Sequence, residues 1–324
     1  MPNLSYPSLS IVIAGPIRSR VSETDAILNV RSFKNIFPIT EIILSTYEGE
    51  VYESLFSEVD HIVYSKDPGF DTYRKWSTVN RNTTRMLLTS TEGLKIAKMQ
   101  LAIKSRIEIN LEEVALLREN ILKVFGSKVK KNDTYLVTTG PFHQDPKDYF
   151  LQPYFISDIF QIGERFSLLT GWQNALEWFL TNKAQDRFQH LSNPVVPANE
   201  QILGFGFMRS VYPTKKMRGP INRYLLLFSE RLLIRNFVKS KWLVIPDEYL
   251  GLASGRLSSY DFSKLSTISM YEKYLKMRDE EDSYWTRFPF IRVLNMQGKT
   301  TIKFLRIFSS WQIRRVLVKI GIIG

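Results

Sequence analysis

Short apolar runs alternate with amphipathic stretches through the first 140 residues of the chain. The runs are rich in β-branched residues and predict strands over residues 10–14, 41–45, 61–64, 101–106 and 134–139. Helical patterns between them predict helices over residues 24–35, 80–97 and 111–125. Strands that alternate with helices are typical of an α/β domain, in which a largely parallel sheet carries helices on both faces.

Polar residues follow each predicted strand, and ligands bind at the carboxyl ends of the strands in such sheets. Gly15 and Pro16 follow the first strand and would let the backbone approach a ligand closely. Thr46 follows the second strand, and Asp67 follows the third. Asp67 precedes a Pro-Gly pair, which is a turn signature, so a structural role and a ligand contact both remain open.

The fourth predicted strand ends in a charged face. Lys104, Arg106 and Glu108 share this face because side chains alternate along a strand with a period of two. Two cations and a carboxylate could hold a diphosphate directly or bind it through a metal. The alternative is a solvated edge strand with a ladder of opposite charges.

The composition excludes several kinds of site. The 324 residues contain 44 Lys and Arg against 32 Asp and Glu, no Cys and three His. Disulfides, thiolate metal sites and a Cys nucleophile are therefore excluded, and three scattered His argue against a His-based metal site. The length favours one large domain with a smaller C-terminal part. We expect no secretory signal and no membrane span, since the first apolar run lacks a basic leader and no run of about 18 residues is uncharged.

The end of the chain is strongly basic. After Asp282 it carries eight Lys and Arg residues and no acidic residue, and a second basic stretch covers residues 215–241. Aromatic and aliphatic residues stand between the charges, as in segments that bind an anionic membrane surface. A helix buried on two faces, with Lys and Arg reaching solvent, fits the same pattern. No nucleic-acid-binding motif accompanies the charge, so we expect no nucleic acid partner.

Six motifs follow one another along the first 110 residues. They are SIVIAGPI from Ser10, EIILSTYEG from Glu41, KDPG from Lys66, VNRN from Val79, STEGLKIA from Ser90 and KSRIE from Lys104. In order and spacing they resemble the WavE family of lipopolysaccharide-synthesis proteins. Weaker similarity continues at residues 157–163 and 199–201.

The resemblance implies a GT-A-like glycosyltransferase, with a Rossmann-type, mostly parallel sheet flanked by helices. It implies a nucleotide-sugar-binding half over residues 1–140 and an acceptor half over 141–255, followed by a mainly helical basic region over 256–324. The implied reaction transfers a sugar from a nucleotide-sugar donor to a lipopolysaccharide core or capsular glycan, which can be lipid-linked. The implied location is cytoplasmic, peripheral on the inner face of the cytoplasmic membrane.

The sixth motif, at the end of the fourth predicted strand, departs from the family pattern. Relatives usually have Asp where this chain has Glu108, and many GT-A enzymes have an Asp-x-Asp sequence at this place. A Glu carboxylate reaches one methylene further. Glu108 would therefore hold a divalent cation, Mn²⁺ or Mg²⁺, in a shifted position or not at all.

Sugar transfer needs cations that stabilise the phosphate leaving group and, for inversion, a carboxylate that accepts the proton of the acceptor hydroxyl. The candidate phosphate ligands are Arg81, Lys104 and Arg106. Asn80 and Arg81 open a predicted helix, whose backbone N–H groups could also bind phosphate.

Two residues are candidates for the base. Asp158 stands in an apolar segment, where a carboxylate costs free energy unless it is paired or functional, although it could instead cap a following helix. Glu200 stands at a predicted helix start, where it could be only a partner of the helix dipole. Trp172, Trp178 and Trp242 could stack on sugar rings, but core packing is the default for each.

Two other classes of function remain open. Sugar-nucleotide pyrophosphorylases have a similar sheet, but their Gly-rich first loop is absent, since no second Gly follows Gly15 until Gly49. A non-catalytic membrane-associated adaptor of glycan assembly would use the basic end of the chain and would not need the polar strand ends.

Overall fold

The computed structural model describes residues 8–37, 40–71, 82–111, 136–139, 156–184, 199–215, 217, 219, 237, 242–245 and 252–254. The first four strands, β1 (Leu9–Ala14), β2 (Thr40–Tyr47), β3 (His61–Ser65) and β4 (Leu101–Ser105), stand where the apolar runs predict them. The fifth prediction corresponds to β6 (Leu136–Thr139), which follows the short β5 (Ile109–Leu111). Of the helix predicted over residues 111–125, Leu111 belongs to β5 and the rest lies outside the described residues, as does the region 256–324.

One large sheet organises the described part of the chain. Its strand order is β3-β2-β1-β4-β7-β6-β8, where β7 is Gln161–Glu164 and β8 is Trp242–Ile245. The pairs β1–β2, β2–β3, β1–β4 and β6–β8 are parallel, whereas β7 runs antiparallel to both β4 and β6. The short strand β9 (Leu252–Ser254) pairs with β5 in a second sheet. The predicted mostly parallel sheet is therefore confirmed, with one reversed strand that the sequence pattern does not reveal.

Helices cover both faces of the sheet, as predicted. Alternate residues of β1 point to opposite faces, so Ile11 and Ile13 join a core beneath α1 (Glu23–Ile36), while Val12 and Ala14 join a core on the other face. That second core includes residues of α2 (Thr83–Ile96), α3 (Arg165–Ala184) and α4 (Asn199–Val211). Within the described ranges, none of the helices has the length and hydropathy of a membrane span.

Helix α2 lies unusually close to the sheet because of Gly93. A Cβ atom added at this glycine would stand 2.4 Å from Cγ1 of Val12 and 2.8 Å from Cβ of Ser45. Since Cβ atoms of real side chains do not approach so closely, this position favours glycine for packing reasons. The contact fixes the distance between α2 and the ends of β1 and β2.

The first turn of α2 is capped by a residue that lies outside the helix, Asp71. The N-cap residue, Asn82, makes no side-chain capping hydrogen bond. The carboxylate of Asp71 instead accepts hydrogen bonds from the backbone N of Thr84 at 2.8 Å and from its Oγ1 at 2.6 Å. Asp71 is 2% exposed, so its carboxylate is a buried part of the helix terminus.

A buried hydrogen-bond cluster closes the opposite, amino-terminal edge of the sheet. Glu41 on β2 is 7% exposed and accepts hydrogen bonds from Ser10 Oγ at 2.6 Å and from the backbone N of Lys98 at 3.0 Å. Its other oxygen lies 3.2 Å from Nε2 of His61 on β3. The cluster joins the first three strands to the segment after α2, far from the carboxyl ends of the strands.

Candidate functional site

A cleft opens at the carboxyl ends of β1 and β4, beside the first half of α2. The cleft has a volume of about 470 Å³ when the space open to solvent is counted. Five residues predicted to contact a nucleotide line it together: Gly15, Pro16, Lys104, Arg106 and Glu108. The edge of the sheet that bears the cleft is the edge where α/β sheets bind ligands.

Gly15 turns the chain out of β1 into the wall of the cleft. Its φ is +119°, a conformation that residues with a Cβ atom rarely adopt. Its backbone N still donates to Ser45 O on β2 at 3.0 Å, so the turn remains attached to the sheet. No heavy atom would lie within 4 Å of a Cβ here, so the glycine meets a backbone requirement and leaves open space in front of the backbone.

Lys104 is a buried cation. Its side chain is 1% exposed, and its Nζ donates a hydrogen bond to the backbone O of Asp158 and lies 4.8 Å from the ring centroid of Trp172. Burial lowers the pKa of Lys104 to about 7, against a smaller raising effect of the Asp158 carboxylate. Trp172 is fully buried and donates through Nε1 to Gln161 Oε1 at 2.8 Å, so this tryptophan is a core residue, as expected by default.

Arg106 forms an ion pair with Asp158. The distance from Nη2 to Oδ2 is 2.7 Å, and Asp158 is buried. Burial of Asp158 opposes its ionisation, but the charges of Arg106 and Lys104 outweigh this effect and hold the pKa of the carboxyl below its ordinary value. The negative charge of Asp158 in turn raises the pKa of Arg106. Both groups therefore stay charged at any working pH.

Strand direction explains why Asp158 meets Arg106. In the antiparallel pairing of β4 with β7, Lys104 stands opposite Gln161. The residues that precede β7 consequently lie beside the residues that follow β4. Asp158 therefore does not cap a helix, which was one alternative from the sequence, because the element that follows it is strand β7.

Glu200 lies in the first turn of α4, at the helix start that the sequence predicts. Its backbone O accepts a hydrogen bond from the N of Ile156 at 3.1 Å, which joins the start of α4 to the segment that carries Asp158. The negative charge of Glu200 also raises the pKa of Arg106, so this carboxylate lies within electrostatic reach of the cleft.

Helix α2 supplies a second wall that the sequence reasoning missed. Asn82, Arg85, Thr89 and Ser90 line the cleft from this helix, and Arg20 lines it from the loop after β1. Asn82 is the N-cap of α2, and Arg85 and Thr89 follow it at the spacing of three and four that places side chains on one helix face, with Ser90 next to Thr89. The signal was therefore present as a polar stripe within the apolar pattern of the predicted helix.

Asp67 holds Arg85 and does not line the cleft itself. Its carboxylate receives Arg85 Nε at 2.9 Å and Nη2 at 2.6 Å, and its Oδ1 also accepts from the backbone N of Gly69 at 2.9 Å. The guanidinium of Arg85 lies 4.9 Å from the ring centroid of Tyr47 and 5.0 Å from that of Phe70. Asp67 is thus a turn residue and also the residue that orients Arg85.

The other predicted ligand contacts are not among the described residues that line the cleft. Thr46 is fully buried and is not among the residues that line the cleft. Asn80 and Arg81 lie outside the described residues, and helix α2 begins after them, at Thr83. The backbone N of Thr84 is bonded to Asp71, so this N–H group of the helix start already has an anion as its partner.

The residues of the cleft do not fit a divalent cation. Within the described ranges, no group of three or more His, Asp or Glu side chains is close enough to hold a metal. Glu108 is the one acidic residue among those that line the cleft, where Lys104 and Arg106 are cationic. Mg²⁺ and Mn²⁺ prefer several oxygen ligands, and neighbouring cations repel them. Glu108 is therefore better placed as a partner of these cations than as a metal ligand.

Several solved structures are distantly similar to the chain. The synthase of 4-diphosphocytidyl-2C-methyl-D-erythritol from Anaerococcus prevotii is 14% identical at a TM-score of 0.33, over 72% of this chain and 98% of that one. Mouse xyloside xylosyltransferase 1 is 8% identical at a TM-score of 0.36, over 64% and 82%. An active-site mutant of LgtC is 14% identical at a TM-score of 0.35, over 65% and 79%.

Sequence comparison assigns the family. No curated protein sequence matches the chain significantly. The family described as WavE lipopolysaccharide synthesis matches residues 9–321, which is almost the whole chain. The match extends far beyond the six motifs that suggested the resemblance. The chain is a member of the WavE lipopolysaccharide synthesis family.

Proposed function

We propose that the protein is a glycosyltransferase that moves a sugar from a nucleotide-sugar donor to a glycan acceptor during lipopolysaccharide synthesis. The single observation that carries the proposal is the pair of cations, Lys104 and Arg106, which the cleft presents at the end of β4 with Asp158 behind them. We call these two residues the cation pair. Membership of the WavE family and the implied GT-A-like organisation agree with this reaction.

The cation pair is suited to the phosphates of a donor. A guanidinium group pairs with phosphate oxygens through two parallel hydrogen bonds, and a buried ammonium group adds a point charge. Charge–charge attraction is stronger in a partly enclosed cleft than in water. Gly15 and Pro16 border the same cleft, where their backbone leaves room for the nucleotide. The pair would stabilise the negative charge that develops on the leaving phosphate.

The transfer step follows from these placements. The oxygen of the acceptor hydroxyl attacks the anomeric carbon of the sugar, the bond from that carbon to the phosphate oxygen breaks, and its electron pair stays on the leaving phosphate. In an inverting reaction, the hydroxyl proton passes to a carboxylate. We assign this role to Glu200, because Asp158 is already bound to Arg106 and its low pKa makes it a weak base.

The acceptor in this proposal is a lipopolysaccharide core or capsular glycan, presented at the inner face of the cytoplasmic membrane. The basic region over residues 256–324 would hold the enzyme on the anionic membrane surface. The support is compositional, since eight Lys and Arg residues follow Asp282 without an acidic residue.

Thermal shift of the purified full chain tests the proposal. The probes are UDP-, GDP-, ADP- and CMP-linked sugars, each with Mn²⁺ and with EDTA. A ligand that binds the native state alone raises the melting temperature, and stabilisation amounts to about 2.7 kcal/mol at a concentration of 100 Kd. We expect one nucleotide class to stabilise the protein in EDTA as well as in Mn²⁺, and Arg106→Ala to abolish the shift.

The matched control for Arg106→Ala is Arg31→Ala. Arg31 forms an exposed ion pair with Glu58 on the α1 side of the sheet and does not line the cleft. This variant should keep the full ligand-induced shift. If no nucleotide stabilises the wild-type protein, the donor site is wrong and the adaptor function becomes the better explanation.

A further inference from the structure

The side-chain oxygen of Asn82 has no structural role among the described residues. Asn is favoured at the N-cap of a helix because its oxygen accepts a hydrogen bond from a backbone N–H group of the first turn. In α2 this task belongs to Asp71, which binds the N–H of Thr84. Oδ1 of Asn82 is buried and has no hydrogen-bond partner among the described residues, although the residue lines the cleft.

A second α2 residue in the cleft has the same property. Ser90 is 1% exposed, and its Oγ also lacks a partner within the described ranges. A helical Ser usually bonds back to a carbonyl of the preceding turn. Thr89, its neighbour on the same wall, does so through Oγ1 to the O of Arg85 at 3.0 Å. Unpaired buried polar atoms cost free energy, so those of Asn82 and Ser90 are suited to a ligand that supplies hydrogen bonds.

The chemistry of the two walls differs. The end of β4 is cationic and suits phosphate, whereas Asn82 and Ser90 are neutral groups that both donate and accept hydrogen bonds. Sugar hydroxyls also donate and accept. A ligand with a phosphate at one end and hydroxyl groups at the other would therefore satisfy both walls at once.

The position of Asn82 favours a contact with the transferred sugar rather than with the ribose of the nucleotide. Oγ1 of Thr83, the residue after Asn82, donates to Oδ1 of Asn199 at 2.5 Å, which holds the first turn of α2 against the first turn of α4. Glu200, the proposed base, lies in that turn of α4. The base must be close to the reacting anomeric carbon, so the sugar has to lie between the cation pair and the start of α4, next to Asn82.

We infer that Asn82 is a specificity-determining residue of the donor site, whose side-chain amide hydrogen-bonds hydroxyl groups of the transferred sugar. The inference rests on the proposed function. Ser90 lies eight residues further along the helix, about 12 Å by helical rise, so we place it beyond the reach of the same hydroxyl groups.

Isothermal titration of the full chain with a free nucleotide and with its sugar conjugates tests this role. The probes are UDP, UDP-glucose and UDP-galactose, or GDP and GDP-mannose, or ADP and ADP-glucose, or CMP and a CMP-linked sugar, according to the class that stabilises the wild-type protein. We expect Asn82→Ala to weaken binding of the preferred nucleotide sugar about three- to tenfold. Binding of the free nucleotide should change by less than about twofold, because its phosphates contact the cation pair.

Two variants control for structure. Asn82→Ser keeps a good N-cap residue but has a shorter side chain, so it should fold normally and show the same selective loss. Asn174→Ala removes an amide that donates to the backbone O of Gly206 and does not line the cleft, so it should not change the ratio of the two affinities.

An equal loss for nucleotide and nucleotide sugar in Asn82→Ala would overturn the inference, because Asn82 would then act on the nucleotide part or on the fold. An unchanged affinity for both would also overturn it. In either case wild-type binding of the nucleotide would leave the proposed function standing. Absence of any binding to the wild-type protein would remove both.

Discussion

Arg106 and Asp158 form a partly buried ion pair at the end of β4, with 2.7 Å between Nη2 and Oδ2. Asp158 binds Lys104 as well, through its backbone O. One residue therefore holds both members of the cation pair. This arrangement favours a positioning role for Asp158 and makes the role testable against that of a base.

Asp158→Asn separates the two roles. The amide keeps the shape but loses the charge, so Arg106 is no longer fixed, and we expect nucleotide affinity to fall about tenfold. A base acts on the chemical step, so Glu200→Gln should lower kcat by about 10² to 10⁴ with nucleotide affinity nearly unchanged. Calorimetry and steady-state kinetics measure the two quantities. The reverse pattern would make Asp158 the base.

Lys104 should make nucleotide binding depend on pH. With a pKa of about 7, Lys104 is charged below neutrality and loses its proton as the pH rises. Phosphate binds the charged form, so affinity should fall from pH 7 to pH 9. Arg keeps its proton throughout this range. A Lys104→Arg variant that binds nucleotide should therefore have the same affinity from pH 7 to pH 9. A wild-type profile equally flat would show that Lys104 does not contact the phosphate.

The same residue should lower stability near neutral pH. The folded-state pKa of about 7 lies below the ordinary 10.5, so the unfolded chain holds the extra proton between these values and stability rises with pH across the window. Urea unfolding should show that the free energy of unfolding of the wild type increases relative to that of Lys104→Met between pH 7 and pH 10, by on the order of a few kcal/mol. A constant difference would contradict burial as the cause.

Gly93→Ala should disturb the sheet and the cleft together. The added Cβ would lie 2.4 Å from Cγ1 of Val12, so α2 must move away, at a cost of about 1–3 kcal/mol. The neighbouring Glu92→Ala removes an exposed ion pair with Lys95 and should cost less than about 1 kcal/mol. Urea unfolding measures both. Equal effects would mean that the close approach of α2 is unimportant.

Glu41→Gln should separate stability from ligand binding. The buried carboxylate accepts two hydrogen bonds at the amino-terminal edge of the sheet, and an amide cannot satisfy all of its partners. We expect a loss of about 1–3 kcal/mol in the free energy of unfolding with no change in nucleotide affinity. A loss of affinity comparable to that of Asp158→Asn would show that the cleft responds to any destabilisation.

Truncation before Ile302 tests the membrane proposal. The truncated chain should no longer co-sediment with vesicles that contain anionic lipid, because it loses Lys and Arg residues and the apolar residues between them. Far-ultraviolet circular dichroism should show that it remains folded. Vesicles of neutral lipid serve as the control for the full chain. Continued sedimentation of the truncated chain with anionic vesicles would exclude this region as the membrane-binding segment.

Much of the first half of the fold could be predicted, because β1 to β4 are short apolar runs between strong turn and helix signals. The positive charges at the end of β4 were predictable from the sequence as well, although β4 ends at Ser105, so the period of two does not extend to Arg106 and Glu108. The direction of β7 could not be predicted, because four residues such as Gln161–Glu164 carry no signal for it. The sequence therefore shows Asp158 only as a carboxylate in an apolar segment and gives no sign of its ion pair with Arg106.

The second wall of the cleft was hidden for a different reason. Asn82 is the N-cap of α2 and Ser90 belongs to this helix, whose buried face is largely polar. The helical pattern was recognisable, but a polar stripe on a largely polar face does not show which side meets the cleft. The capping of α2 by Asp71 likewise joins residues 13 positions apart. Such contacts depend on the tertiary structure, and a local pattern does not contain that information.

The reversal of β7 links the two parts of the chain through charge. In a run of parallel strands, each segment at the ligand edge comes directly after a strand, and neighbouring segments belong to successive units. At the reversed strand β7, the segment at this edge comes before the strand. The ion-pair partner of Arg106 is therefore Asp158, 52 residues further along the chain. A chain that ended before residue 156 would keep both cations and lose the carboxylate that stabilises them. Nucleotide binding in the cleft would therefore indicate that the segment with Arg106 and the segment with Asp158 have folded together.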